Sequence, residues 1–233
     1  MTTDIFVKSY PSDFCWLDYS LRSIQRFATG FRHVIVCVPP GHGLKLTREL
    51  IVEIPEQQPG YLFQQSAKLN ADHHSTADYI LHIDSDTIFT RPVTPDYFFV
   101  NGKPRWVMTP FDETAEDDKK AWLHVMVKCL REMPPFEFMR LGAHICPRES
   151  YAGFREIFPR IHKLTMDQYV MNQPGHEFSE FNCLGFFNWL YRRDKFHWHN
   201  TATDGVPEWP IKQFWSWGGL TQEIRNELEI ALA

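Results

Sequence analysis

The sequence predicts one α/β domain with a mainly parallel central sheet flanked by helices, and three observations predict it. Short apolar runs rich in β-branched residues alternate with stretches of helical spacing, as in a parallel sheet with crossover helices. The first forty residues already complete a β-α-β unit. The length, 233 residues, exceeds the usual size of one domain but falls short of two, and no repeat or low-complexity linker divides it.

Residues 4–10 are apolar and bounded by Pro11, which suits a buried opening strand. Residues 14–27 follow as a helix, with Trp16, Leu17, Leu21, Ile24 and Phe27 at helical spacing. Gly30 closes that helix, and 33–38 is a continuous β-branched strand cut off by Pro39-Pro40-Gly41. A third strand is expected over 50–54, a helix of modest amphipathy over 61–77, and a buried strand over 79–83 that ends in Asp84-Ser85-Asp86. This Rossmann-like half fills roughly the first hundred residues. Beyond it, 106–108 reads as a strand and 112–120 as a charged, solvated loop. That loop leads into a helix through Trp122, Val125, Met126, Cys129 and Leu130, ended by Met133-Pro134-Pro135. A strand over 144–146, helices over 148–158 and 177–191, a short strand over 196–199 and a terminal helix over 220–232 complete the expectation.

Composition narrows the function. Lys plus Arg number 24 against 29 Asp plus Glu, a net charge of −5, so no basic field is present to hold a nucleic acid. No apolar run approaches the length needed to cross a bilayer, and the opening residues lack the basic and apolar segments of a secretory signal, so the expected compartment is the cytoplasm. Five scattered cysteines without a C-x-x-C pair argue against a disulfide framework or a structural zinc and read as reduced core thiols. The aromatic content, 15%, suits either a dense core or a platform for sugar rings and bases.

Asp84 and Asp86 stand two residues apart at the carboxyl end of an apolar strand, so extended geometry sends both side chains into the crevice where open α/β sheets bind ligands. Convergent carboxylates repel, and a hard divalent cation such as Mn²⁺ or Mg²⁺ relieves the repulsion while leaving positions for water and phosphate oxygens. Taken alone, a D-x-D is also compatible with a strand-end turn whose carboxylates cap backbone amides.

Lys68-Leu69-Asn70 on a helix, followed by the strand Ala77-Asp78-Tyr79-Ile80-Leu81-His82-Ile83-Asp84-Ser85-Asp86, resembles the GT-A nucleotide-sugar glycosyltransferases. The resemblance covers residues 4–110 most clearly, is specific at 68–86 and is loose beyond 140. It implies a single GT-A domain over 1–233, with a nucleotide-sugar-binding half at 1–110 and an acceptor-binding half with a C-terminal lid at 111–233. It implies transfer of a sugar from a nucleotide-diphosphate donor, UDP by default, to a glycan or other hydroxyl acceptor, with Mn²⁺ or Mg²⁺ as cofactor. Asp84 and Asp86, with Ser85 between them, match the metal and diphosphate ligands of that family, the second carboxylate binding the metal most directly. Lys68 matches a position that contacts the nucleotide or the first carboxylate; otherwise it is a solvated helix residue.

The remaining site residues rest on the same resemblance. Tyr10, in the loop after the first strand, is placed to stack on the base, or else packs on the sheet. A third metal ligand near the C-terminus falls to His199, with His197 almost equivalent on the same strand; either also reads as an ordinary strand histidine bonded to a carbonyl. Glu180 is the expected general base, with Glu177 and Asp167 in reserve, the alternative being a helix cap or ion pair. Trp209, Phe214, Trp215 and Trp217 with Gly218-Gly219 suggest a lid or acceptor platform rather than a satellite core, with Trp217 and Lys212 reaching the donor. His73-His74 are expected in solvent and His82 in the core.

Three other activities compete. A nucleotidylyltransferase needs a Gly-rich basic loop after the first strand, which 8–13 lacks. A carbohydrate-binding module suits the aromatic content but gives no reason for the acidic pair. A metal-dependent phosphohydrolase requires more convergent ligands than the sequence supplies.

Overall fold

β1 (Thr3–Lys8), β2 (Val34–Val38), β3 (Leu50–Glu53) and β4 (Tyr79–Asp84) form the parallel part of the main sheet in the computed structural model, which describes residues 1–233 apart from the side chains of 117–120. Strand order is β3-β2-β1-β4-β9, and β9 (His144–Pro147) runs antiparallel to β4, so the sheet is mixed at one edge. The central strands read as unbroken apolar runs because both faces are covered. Ile5 and Val7 of β1, Val36 and Val38 of β2, and Leu81 and Ile83 of β4 face Leu17, Leu21 and Ile24 of α1 (Phe14–Phe27). The alternate residues Phe6, Ile35, Cys37 and Ile80 face a larger core on the other side.

That larger core receives α2 (Gly60–Leu69) and, after β5 (Thr87–Phe89), β6 (Phe99–Val100) and β7 (Lys103–Pro110), also α3 (Glu116–Leu130). It continues past β8 (Phe136–Glu137) and β9 into α4 (Arg148–His162), α5 (Met166–Met171) and α6 (Glu180–Tyr191). α6 is buried along Glu180–Asn188, as a helix apolar on every side must be. Gly185 permits its close approach: a Cβ there would lie 2.6 Å from Phe138 and 2.9 Å from Trp106. A second small sheet has the order β10-β7-β6, with β10 (His197–Asn200) parallel to β7. After α7 (Thr201–Asp204), β11 (Ile211–Gln213) pairs antiparallel with β5, and α8 (Gln222–Ala231) closes the chain.

Several elements differ from expectation. The helix expected over 61–77 ends at Leu69, where Asn70 turns its side chain back onto the Ser66 carbonyl and a 3-10 turn follows over Ala71–His73. The loop expected over 112–120 is helical from Glu116, and the side chains of 117–120 lie outside the described residues. The short elements β5, β11 and α5 carry too few residues for a visible period. Of the five free cysteines four are buried, while Cys15 is exposed. Among the described residues no helix is long and apolar enough to cross a membrane.

Candidate active site

β1 and β4 end side by side, with Lys8 and Asp84 in register, so both strands deliver their last residues to one crevice at the carboxyl edge of the sheet. A cleft of about 250 Å³ opens there, lined by Lys68, Asp84, His144, Glu180, Gln213 and Trp215 among others.

Its floor is a buried ionic network. The Lys68 ammonium, from the last turn of α2, lies 2.5 Å from Asp84 and 2.8 Å from Glu180 at the start of α6. Lys68 and Glu180 side chains are each 3% exposed, whereas Asp84 is one-third open to the cleft. Burial alone would push the Lys68 ammonium down; Asp84 and Glu180 outweigh it and hold the group above the usual lysine range, so it stays charged. The Glu180 backbone N–H donates to Gln65 at 2.7 Å, fixing the two helices against each other. Glu180 thus spends a carboxylate oxygen on Lys68 and serves as its counter-ion.

Asp86 lies beyond β4, after buried Ser85. Its carboxylate accepts the Ser216 backbone N–H at 2.7 Å, and its carbonyl accepts that of Phe214 at 3.0 Å. Burial and then the charge of Asp84 push the Asp86 carboxyl above the usual aspartate range, opposed by the Ser216 N–H. The Gln213 amide nitrogen lies 3.4 Å from Asp84 and 3.5 Å from Asp86, loosely touching both carboxylates. Both carboxylates therefore face one amide group. Hard oxygen donors on one side of the cleft, and a carboxyl pushed up by burial and then by its acidic neighbour, would fit Mn²⁺ or Mg²⁺, which keep much of their coordination for water and phosphate. Among the described residues no three His, Cys, Asp or Glu side chains converge as a ligand set.

His199 does not join it. β10 belongs to the second sheet, and the His199 ring bonds the Gly205 carbonyl at 2.8 Å. His197 shares that strand. Lys212 alternates with Gln213 on β11 and pairs instead with Glu227 on α8. Trp217 is 85% exposed and does not line the cleft, whereas Trp215 does, in a left-handed conformation with φ of 57°. Trp209 packs against Phe98 and Phe214 against Trp16, so those two rings serve the cores. Tyr10 donates its hydroxyl to the Gly60 carbonyl at 2.9 Å, and the Lys8 ammonium sits 3.8 Å from its ring centre. It lines an adjoining depression that meets the cleft at Tyr61 and Gln64. Asp167 bonds Ser66 and Asn70 in a separate pocket, and Glu177 is exposed beside His124.

Sequence reasoning missed Gln213, Ser216 and His144. His144 is the register partner of His82 across the β4–β9 ladder. The His82 ring bonds the Tyr151 hydroxyl at 2.6 Å and leaves Nδ1 buried without a partner. Burial pushes His144 down to about 3, so its imidazole is neutral. The sequence matches no known protein-family model and no curated protein.

Proposed function

We propose that the protein is a metal-dependent glycosyltransferase of the GT-A type, moving a sugar from a nucleotide-diphosphate donor to a hydroxyl of a glycan or other acceptor. The observation that carries this reading is the convergence of Asp84 and Asp86 at the carboxyl end of a central parallel strand, above the Lys68 cation. UDP is the nucleotide the resemblance to the family favours.

Asp84 and Asp86 would hold Mn²⁺ or Mg²⁺, and the bound ion supplies positive charge against the diphosphate that departs. Lys68 fixes the Asp84 carboxylate and keeps a permanent cation beneath it. Glu180 holds Lys68 in place and neutralises it. Tyr61 and Trp215 line the cleft and offer apolar ring surface to a sugar, while the depression beside Tyr10 extends the cleft toward β1. Orientation within such a site lowers the barrier through lost freedom of motion already spent on binding.

The test incubates the purified protein with Mn²⁺ and a panel of UDP-, GDP- and TDP-sugars with glycan acceptors, and measures nucleotide release and thermal stabilisation. One nucleotide class stabilises the protein in the presence of metal and is released on turnover. Stabilisation by free glycans without metal, or phosphate release from simple esters, contradicts the reading.

A further inference from the structure

His144 stands out as a mostly buried polar side chain whose ring edge opens on the cleft without a protein partner. It is 9% exposed and lines the same cleft as Asp84, yet its ring nitrogens have no hydrogen-bond partner among the described residues. A nine-tenths buried polar side chain with no protein partner and an edge open to a cleft is placed to bond a ligand there. Packing fixes the ring: it stacks on Phe181 at 4.3 Å and 24° and approaches Trp106 at 5.6 Å. With its faces in contact with other rings, its edge remains to make polar contacts. The residue before it, Ala143, holds a left-handed φ of 65° and also lines the cleft. That conformation is unfavourable for alanine, and such strain clusters at ligand sites.

The chemistry of the group selects the ligand. A neutral imidazole carries one donor and one acceptor, which matches a hydroxyl rather than a phosphate or a metal-bound carboxylate. Through the β4–β9 register, His144 sits one strand across and two residues back from Asp84, roughly 8 Å by strand geometry. From there it can reach a group tethered to a diphosphate held at Asp84.

Resting on the function proposed above, we infer that His144 is a sugar-binding residue, hydrogen-bonding a hydroxyl of the hexosyl group of the donor from the ring edge that its stack on Phe181 leaves open to the cleft. The inference separates the two halves of the donor: the acidic pair holds the diphosphate, and His144 reads the sugar.

The test measures affinity by calorimetry, with Mn²⁺ present, for matched pairs: UDP against UDP-glucose, UDP-galactose and UDP-N-acetylglucosamine, GDP against GDP-mannose, and TDP against TDP-glucose. His144→Phe keeps the stack on Phe181 but removes both polar atoms; His144→Gln keeps a donor and an acceptor. For the pair that the wild type binds, H144F weakens the sugar nucleotide about tenfold and leaves the free diphosphate within about twofold. H144Q recovers most of the loss, and His144→Ala, which also removes both polar atoms, stands in for H144F in every comparison if H144F does not fold. Equal weakening of both ligands, no weakening of either, or no difference between the two variants overturns the inference alone. If the wild type binds none of the diphosphates with Mn²⁺, the function proposed above falls, and this inference falls with it.

Discussion

Replacing Lys68 by Met tests the ionic floor of the cleft. The substitution preserves side-chain length but leaves Glu180, 3% exposed, without its counter-ion; Asp84, one-third open, can still be solvated. Breaking a buried pair by removing one partner costs about 3–5 kcal/mol. For a chain of this length the melting temperature should fall by about 7–15 °C. Urea unfolding at pH 7 followed by tryptophan fluorescence, on wild type, K68M and the double variant K68M/E180M, measures this. The double variant should regain about 2 kcal/mol or more, because it removes the stranded charge. A loss under about 1 kcal/mol in K68M, or no recovery in the double variant, refutes the buried ion pair.

Asp86→Asn should leave the metal-free protein at least as stable as wild type at pH 7, because burial and the Asp84 charge already disfavour the carboxylate; thermal melts without metal check this. For the same reason, wild-type Mn²⁺ affinity should weaken as pH falls toward the raised value of Asp86, starting above the ordinary aspartate range near pH 4, and titrations at pH 5 and 8 measure it. Gly185→Ala should cost about 1–3 kcal/mol in urea unfolding, since the new methyl collides with Phe138 and Trp106 rather than with a flexible chain end. Asp4 is buried and bonded by Arg32 and Ser75; burial pushes its carboxyl up, and those bonds outweigh burial and hold it down. Its contribution is therefore present above about pH 4 and lost as pH falls below, so Asp4→Asn should cost about 2–3 kcal/mol at pH 7 and progressively less in acid.

The part of the molecule legible in the sequence is the part built from local periodicity and buried parallel strands. The helix expected over 14–27 has those limits, and β1, β2 and β4 lie within a residue or two of expectation, because strands covered on both faces leave continuous apolar runs. Asp84, Asp86 and Lys68 were visible for the same reason: a strand end and the last turn of the preceding helix lie close in sequence as well as in space. Gln213 and Ser216 reach the acidic pair through the β5–β11 ribbon, whose strands have three residues each and whose partners lie more than 120 residues apart. No period in either segment reports that pairing. His144 was missed because an antiparallel edge strand sets it opposite His82, a register that only the folded sheet defines. His199 was misplaced because its strand joins β7 in the second sheet rather than the edge of the first.

Diffraction from crystals soaked in Mn²⁺ together with a nucleoside diphosphate, using the anomalous signal of the metal, examines the acidic pair directly. The account predicts one anomalous peak touching oxygens of both Asp84 and Asp86, at about 2.0–2.3 Å, with the remaining coordination filled by water and diphosphate. Full Mn²⁺ saturation with no peak between positions 84 and 86, and the two carboxylates turned apart, would contradict it.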